Sequence, residues 1–481
     1  MEKKNTKLLV AVVEIIVFLA VIFGFVYSIY YSIPVGDDFS MGMDVEGKNL
    51  FLAAVSRANY YYINWGGQWP FFFMQTLCNP LNLIDGNPHA PGIVLLVFFA
   101  LFLIVLFALI KTFFKEIVGN EDFTTYMGVF VAILAAVLNG GLYFDVLYFF
   151  VGNCYLQAAT CIMLTMIFVI KFMKSNKVSS GVLASVTGFI SCIFYAQSIM
   201  PLLVMLALII YDTYWGKKFR IKVAYPFFFM LAGACVGAFA PGNFVRKSQS
   251  HNAQINIVVA VKDTIMNLVR VYRDLLLDPI FIIAIVVLVI IGAVSCKYIL
   301  EDIKVGHVMA MLIISVMITL VGAFPVALGY GDYALPMRVT FYLKLYAILG
   351  LSATAIIAGG YLNKTDILNL DEPKNKFISI VALVAFGYSI LTPLDNFYSQ
   401  PIMYTYIHHV DAKKSAAAWM DIYHQIEASE DKDVVIEAEP IENYLILGAD
   451  FETDWGREQI ADYFGKDSVE VIWIEQESQE N

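Results

Sequence analysis

Charged residues are scarce in this chain, and their scarcity argues against a soluble protein. Asp, Glu, Lys and Arg make up 15% of the 481 residues, whereas soluble domains contain about 25%. Hydrophobic residues make up 59%. Apolar runs of about 20 residues, enough to cross a hydrocarbon core of about 30 Å, recur along the chain. The sequence therefore predicts an α-helical polytopic membrane protein.

Several other signals are missing. The six cysteines are scattered with no C-x-x-C spacing, which argues against a disulfide framework or a zinc site. No repeat with a period of about 20–50 residues is evident. The chain does not divide into two halves with matched broken helices, the pattern of many secondary transporters. No nucleic-acid partner is expected.

The apolar runs predict about 11 transmembrane helices. The first run is too long for a signal-peptide core, and no small-residue cleavage site follows it, so it is expected to remain as a helix. The predicted spans lie at about 8–31, 91–110, 124–139, 154–170, 179–194, 198–214, 223–240, 280–296, 307–323, 341–361 and 377–393.

The distribution of Lys and Arg predicts the orientation, because positively charged short loops stay in the cytoplasm. With the N-terminus inside, seventeen of the 31 basic residues lie in cytoplasmic segments and eight in outer loops. The prediction is a multi-pass protein of the plasma membrane with a cytoplasmic N-terminus and an extracytoplasmic C-terminus. The first outer loop, about 32–90, is long and rich in aromatic residues.

The composition changes near residue 394. Residues 394–481 contain twenty Asp or Glu and five Lys or Arg. A helix over 413–429, strands over 433–438 and 469–475, and a helix over 457–465 are predicted from residue type and periodicity. We therefore divide the chain into a transmembrane domain, 1–393, and a small acidic extracytoplasmic α/β domain, 394–481.

The stretch "IPVGDDFSMG" places Asp37 and Asp38 just after the first span. A solvated turn is one interpretation, since Pro, Gly and Asp are common turn residues. The other interpretation is chemical. Two neighbouring carboxylates raise each other's pKa, which suits a general base or a ligand of a divalent cation such as Mg²⁺ or Mn²⁺.

Basic residues near later span ends are candidates for binding phosphate. Arg246 and Lys247 lie in "APGNFVRK" after the seventh span, and Arg338 lies in "MRVTFY" before the tenth. Arg at a helix end often extends to lipid headgroups, which is the simpler interpretation. Arg also binds phosphate bidentately. A site that binds a lipid phosphate is the alternative.

The aromatic stretch "NYYYINWGGQWPFFF" contains Trp65, Gln68 and Trp69, and His89 follows in "NPHAPG". Aromatic residues concentrate at membrane interfaces whatever the function. They also stack on sugar rings or isoprenoids, so these four residues are candidate sugar or lipid contacts. A lone His near the start of a helix is more often structural.

The predicted architecture resembles the GT-C superfamily of integral-membrane glycosyltransferases. The shared features are a cytoplasmic N-terminus, an acidic pair that opens the first outer loop, many further helices and a C-terminal outer domain. More narrowly, "PVGDDFS", "YINWGGQW", "APGNFVR" and "MRVTFY" resemble a bacterial family of predicted GT-C proteins, which is similar to glucosyltransferases that decorate surface polysaccharides. One position departs from the expected pattern, because Gln68 stands where relatives are expected to carry an Arg after Gly67.

The resemblance implies that a sugar moves from a polyprenyl-phosphate donor to a glycan or lipid-linked acceptor of the cell envelope. Asp37 and Asp38 would be the base or the metal ligands, and membrane lipids would surround the site. A transporter or flippase of lipid-linked sugars is one alternative, although the spans contain few charges. A non-catalytic envelope scaffold is another. A cavity containing Asp37, Arg246 and Arg338 would favour the glycosyltransferase.

Overall fold

A computed structural model gives the fold of the chain. It describes residues 2–42, 49–83, 87–140, 144–196, 198–214, 221–249, 256–295, 304–330, 335, 337–365, 400–442, 451 and 453–474. This part of the chain is mostly helical, and seven of its helices are long and apolar enough to cross a membrane. The prediction of a helical polytopic membrane protein is confirmed.

The helices up to residue 175 are α1 (Glu2–Tyr30), α2 (Asp37–Gly42), α3 (Leu50–Asn64), α4 (Trp69–Leu77), α5 (Pro80–Leu83), α6 (Ala90–Phe113), α7 (Phe123–Gly140), α8 (Phe144–Leu147) and α9 (Phe150–Ser175). A π-helical turn, Phe114–Val118, prolongs α6. The next helices are α10 (Val178–Phe194), α11 (Met200–Tyr214), α12 (Ile221–Ala238), α13 (Pro241–Gln249), α14 (Ile257–Leu277), α15 (Pro279–Ser295), α16 (Val305–Tyr330) and α17 (Met337–Lys364).

Ten of the eleven predicted spans coincide with helices, namely α1, α6, α7, α9, α10, α11, α12, α15, α16 and α17. The eleventh, 377–393, lies outside the described residues. Helices α10 and α11 have 17 and 15 residues, fewer than the roughly 20 that a perpendicular span needs. The total of 11 spans therefore remains a prediction.

Helices α14 and α15 form a sharp elbow. They are bent by 78° at Asp278 and together count as one further candidate span. The Asp278 carboxylate accepts hydrogen bonds from the backbone N–H groups of Ile280 and Phe281, at 2.8 and 3.1 Å. It thereby satisfies free N–H groups at the start of α15. The Asn139 amide at the end of α7 donates to the same carboxylate, so the elbow is attached to the bundle.

The first predicted outer loop is mostly helical, since α2, α3, α4 and α5 lie within it. Asn49 caps α3 by accepting a hydrogen bond from the Leu52 N–H at 3.2 Å. Pro70 lies in the first turn of α4, where its missing N–H costs no helical hydrogen bond. Local capping therefore explains why a stretch without an obvious helical period still forms short helices.

The C-terminal elements form in the predicted order. They are α18 (Pro401–Ala428), β1 (Asp433–Ala438), α19 (Asp454–Phe464) and β2 (Ser468–Trp473). The two strands pair in parallel, with Asp433 opposite Ser468. Thr453 caps α19 by accepting from the Gly456 N–H at 3.0 Å, and Gly465 ends it in the left-handed region at φ 65°. A parallel pair joined through a helix is a βαβ unit.

Helix α18 packs against the transmembrane helices. A Cβ atom on Gly24 of α1 would lie 2.9 Å from the backbone of Thr405. Farther along α18, the Tyr423 hydroxyl donates to the Pro34 carbonyl oxygen at 2.8 Å. Buried side chains of α18, including Trp419, belong to the same hydrophobic core as α1. The domain boundary at 394 stays a prediction, but the described parts on its two sides are in direct contact.

Candidate functional site

A cavity of about 710 Å³ lies at the end of the bundle where α1 ends and where α9 and α17 begin. We call it the polar cavity. Its charged lining residues are Asp37, Arg57, Arg246 and Arg338. Its aromatic lining residues are Tyr60, Tyr61, Trp65, Phe71, Phe72, Phe149, Tyr155, Tyr195 and Trp455. The structure thus gathers Asp37, Arg246 and Arg338, which are far apart in sequence, around one cavity.

Asp37 is half-buried in the first turn of α2. Its carbonyl oxygen accepts a hydrogen bond from the Ser40 hydroxyl at 3.0 Å, which closes the turn. Its side chain lines the polar cavity. Asp37 is the carboxylate among the described lining residues, so it is the candidate general base at this site.

Asp38 lies in the protein interior and is 1% exposed. Its carboxylate accepts hydrogen bonds from the backbone N–H groups of Val151, at 3.0 Å, and Val35, at 3.2 Å. Val151 is in the first turn of α9, where N–H groups have no partner within the helix. The Asn79 amide donates to the Asp38 carbonyl oxygen at 2.9 Å. Asp38 therefore attaches α2 to the start of α9.

Burial raises the pKa of Asp38 to about 8. Backbone hydrogen bonds, the strongest from Val151, act in the opposite direction, and the charge of Asp37 adds to the rise. Desolvation disfavours the charged form of a carboxyl group. The two neighbouring aspartates therefore differ in environment, and Asp37 faces the cavity.

Arg57 is a further residue of the polar cavity, and it lies outside the sequence motifs described above. Its Nη2 donates to the Ser40 carbonyl oxygen at 2.5 Å, and its guanidinium lies 5.5 Å from the centre of the Tyr61 ring. The side chain is half-buried and lines the polar cavity. One signal could have identified it. Arg57 is the only charged residue of α3, one helical turn before an aromatic residue.

Arg246 lies in α13, and its guanidinium stacks over the Trp65 ring at 4.8 Å from the ring centre. This distance is typical of a cation–π contact. Arg338 also lines the polar cavity. It lies in the first turn of α17 and is half-buried. Helix α17 is fixed beside the cavity because the Tyr342 hydroxyl donates to the Tyr155 carbonyl oxygen at 3.0 Å.

Two glycine-containing turns interlock beneath Arg246. The Gly67 N–H donates to the Asn243 side-chain oxygen at 3.0 Å, and the Asn243 amide donates to the Gly237 carbonyl oxygen at 2.8 Å. A Cβ atom on Gly67 would lie 1.9 Å from the same Gly237 oxygen, and one on Gly242 would lie 2.4 Å from the Gly66 nitrogen. Only glycine allows this approach, so the motifs "WGGQ" and "APGN" together orient Trp65 and Arg246.

The remaining predicted contacts lie in different places. Gln68 lines the polar cavity. Trp69 lines a different, apolar cavity, and its indole N–H donates to the Asn59 side chain at 2.8 Å. His89 is outside the described lining of both cavities and stacks on Tyr30 with ring centres 4.6 Å apart. Lys247 is half-buried on α13 and is also outside that lining.

The apolar cavity has a volume of about 700 Å³ and lies on the other side of α4. Trp69 and Phe73 of α4 line it, whereas Phe71 and Phe72 of the same helix line the polar cavity. Its other walls come from α3, α6, α9, α10 and α12. Gln157 also lines it, and within the described chain its buried amide atoms have no hydrogen-bond partner.

The described residues contain no group of three or more His, Cys, Asp or Glu side chains able to hold a metal ion. Both Asp38 oxygens accept backbone N–H groups, which leaves Asp37 as the carboxylate directed to the cavity. Mg²⁺ is often held by one or two carboxylates together with substrate phosphates. A Mg²⁺ or Mn²⁺ ion bound by Asp37 and a phosphate is compatible with this arrangement, and it stays a prediction.

Comparisons with known proteins do not identify a family for the chain. No protein-family model matches it, and a search of curated proteins finds no match. The resemblance to GT-C enzymes therefore remains a hypothesis from the sequence motifs.

Proposed function

We propose that the chain is an integral-membrane glycosyltransferase. It would move a sugar from a polyprenyl-phosphate donor to a glycan or lipid-linked acceptor at the outer face of the plasma membrane. One observation supports this proposal above the others. A polar cavity with Asp37 and three arginines lies next to an apolar cavity of similar volume, with α4 as their common wall.

The paired cavities fit the two parts of a polyprenyl-phosphate donor. The phosphate is anionic and polar, so it suits the arginines, whose guanidinium groups bind phosphate bidentately. The isoprenoid chain is apolar, so it suits the cavity lined by Trp69, Phe73 and their neighbours. A ligand that passes over α4 would contact both. A transporter would need a polar path across the membrane, whereas one of these two cavities is apolar.

The reaction follows from the charges of the polar cavity. Asp37 takes the proton of an acceptor hydroxyl, and that oxygen forms a bond to the anomeric carbon of the donor sugar. The bond between this carbon and the phosphate oxygen breaks, and the polyprenyl phosphate leaves with the electron pair. Arg57, Arg246 and Arg338 stabilise the charge that develops on the phosphate. If Asp37 instead held a divalent cation, that cation would add positive charge beside the phosphate.

The test compares the surface polysaccharide of cells with and without the protein. Cells carrying Asp37→Asn are the third sample, and cells carrying Asp421→Asn are the matched control, because Asp421 is an exposed carboxylate of α18 that pairs with Gln425. We expect the deletion and Asp37→Asn to lose the same sugar substituent, while Asp421→Asn retains it. Protein amounts in membranes are measured in parallel.

An unchanged polysaccharide in the deletion strain would contradict the proposal. Flipping predicts a different pattern from transfer. If the protein moves lipid-linked sugar across the membrane, the deletion accumulates that lipid on the cytoplasmic side. If it transfers the sugar, the lipid accumulates on the outer side. The scaffold alternative predicts that Asp37→Asn behaves like the unaltered protein.

A further inference from the structure

The C-terminal βαβ unit contributes two residues to the polar cavity. Trp455 and Gln459, both in α19, belong to its lining. They are four residues apart, so they lie on the same face of the helix. Trp455 is 44% exposed although it is a large apolar side chain. The indole is therefore available for contact with a ligand in the polar cavity.

Helix α19 is held firmly against the site. Phe39, two residues after Asp37, packs against Tyr463 and Phe464 at ring-centre distances of 5.0 and 5.9 Å. The start of the helix is capped by Thr453. The Arg457 side chain donates to the Phe451 carbonyl oxygen at 2.7 Å. Trp455 therefore projects from a helix whose two ends are both fixed.

Among the described lining residues of the polar cavity, the two from α19 are uncharged. The three arginines of the cavity come from α3, α13 and α17, whereas α19 supplies an indole and an amide. An aromatic face packs against the C–H face of a pyranose ring through apolar contact. A primary amide offers two donors and an acceptor to sugar hydroxyls. Together they are suited to a neutral sugar ring.

We propose that Trp455 and Gln459 form the subsite that binds a sugar ring of a polysaccharide acceptor, an inference that rests on the proposed glycosyltransferase function. The donor is attached to the membrane by its isoprenoid chain, and the apolar cavity that suits this chain is lined by α3, α4, α6, α9, α10 and α12. Helix α19 does not line that cavity. Its wall of the polar cavity is therefore available to the second substrate.

The experiment measures binding by the full-length protein in detergent, with two separate probes. The first probe is undecaprenyl phosphate, measured by native mass spectrometry. The second is surface polysaccharide purified from the deletion strain, which carries unmodified acceptor positions, measured by biolayer interferometry. The variants are Trp455→Ala, Trp455→Phe and Gln459→Ala. Glu458→Ala is the matched control, because Glu458 is exposed on α19 and outside the described cavity lining.

We expect Trp455→Ala to weaken polysaccharide binding about tenfold, the effect of losing one aromatic stacking contact with its buried area. Trp455→Phe should retain part of the affinity, and Gln459→Ala should lose a smaller part. Glu458→Ala should bind like the unaltered protein. All four should bind undecaprenyl phosphate normally, which also shows that they are folded.

Normal polysaccharide binding by Trp455→Ala would overturn the subsite and leave the proposed function intact. Absence of polysaccharide binding by the unaltered protein would overturn it as well. If the unaltered protein binds the polysaccharide through Trp455 but does not bind undecaprenyl phosphate, the subsite stands and the proposed donor is wrong. The two hypotheses therefore fail in different measurements.

Discussion

Helix α2 turns by about 100° per residue, so Asp37, Asp38 and Phe39 leave it in three directions. Asp37 faces the polar cavity. Asp38 accepts the backbone N–H of Val151. Phe39 packs against the aromatic residues of α19. Three successive side chains therefore join the cavity, α9 and the C-terminal unit, and a change at each should have a different consequence.

Replacing Asp37 tests the proposed base. Asp37→Asn keeps the size of the side chain and removes its negative charge. Loss of a positioned general base typically lowers the rate by about 10²–10⁴-fold. We expect a decrease of this order in sugar transfer by membranes, normalised to protein amount, with unchanged expression and melting temperature. Asp38→Asn should instead lower the melting temperature. Near-normal transfer by the double variant would contradict the mechanism.

The pKa of Asp38 predicts a pH dependence of stability. The folded state holds this proton up to about pH 8, whereas an unfolded Asp releases it near pH 3.9. Stability from this group is therefore complete below about pH 4 and is lost as the pH rises towards 8. We expect the melting temperature of the unaltered protein to fall between about pH 4 and pH 8 relative to Asp38→Asn.

The control for this pH experiment is Asp421→Asn, which removes an exposed carboxylate. Its melting curve should follow that of the unaltered protein at each pH. A constant difference between the unaltered protein and Asp38→Asn over the whole range would show that Asp38 has an ordinary pKa. The pH dependence would then have to come from other groups.

The turn between α3 and α4 is locked to the turn between α12 and α13. The lock uses the Gly67 N–H, the Asn243 amide and the Gly237 carbonyl oxygen. The Tyr62 hydroxyl adds a hydrogen bond to the Val236 carbonyl oxygen at 3.0 Å. This lock sets the distance between Trp65 and Arg246, so damage to it should reach the cavity.

Replacing Gly67 tests the lock. In Gly67→Ala the new methyl group would lie 1.9 Å from the Gly237 oxygen, and the two turns must separate. Overpacking of this kind typically costs about 1–3 kcal/mol. We expect a lower melting temperature and reduced transfer. Gly306→Ala is the control, because a Cβ atom there meets nothing within 4 Å. Equal behaviour of the two variants would contradict the lock.

Replacing Arg246 or Arg338 tests whether these residues bind the donor phosphate. Hydrogen bonds to a charged group contribute about 1.5–3 kcal/mol, so Arg246→Ala or Arg338→Ala should raise the KM for the donor at least tenfold. Arg246→Lys should restore only part of this loss, because Lys cannot bind bidentately or stack as a plane on Trp65. Lys262→Ala, an exposed cation of α14, is the control. Unchanged KM in both Ala variants would reduce these arginines to interface anchors.

The sequence predicts the helices and strands of this protein more readily than it predicts which of them pack together. Long apolar runs are enough to predict α1 and α6, because a helix in lipid needs mainly a continuous run of apolar residues. Helix α3 is harder to predict, since it is short and its aromatic residues follow no single face. Its hydrogen-bond partner Val236 is 174 residues away from Tyr62. Trp455 cannot be predicted as a site residue for the same reason, because only the packing of distant segments brings it to the cavity, whereas Arg57 is marked in the sequence as the only charged residue of α3.

The connection that follows α1 and the C-terminal segment meet at the end of the bundle that carries the polar cavity. Helix α18 packs along α1, and α19 packs on α2. The acidic composition of residues 394–481 suggests an independent appendage, yet its described part shares a core with the transmembrane helices. The C-terminal segment is therefore attached in two ways. Helix α18 packs in the bundle, and the βαβ unit lines the polar cavity through α19.

Two truncations distinguish the attachment by α18 from the attachment by the βαβ unit. Removing residues 430–481 takes away the βαβ unit with Trp455 and leaves α18 in place, so we expect insertion and most of the thermal stability to persist while transfer falls. Removing residues 394–481 also takes away α18 and exposes the buried surface of α1 around Gly24, against which Thr405 packs. Exposure of buried apolar area costs about 25 cal/mol per Å², so this protein should insert but unfold at a distinctly lower temperature. Fluorescence-detected size-exclusion chromatography after heating compares the two directly. If both truncated proteins melt together with the full chain, α18 is not part of the bundle, and the whole acidic segment behaves as a separate domain.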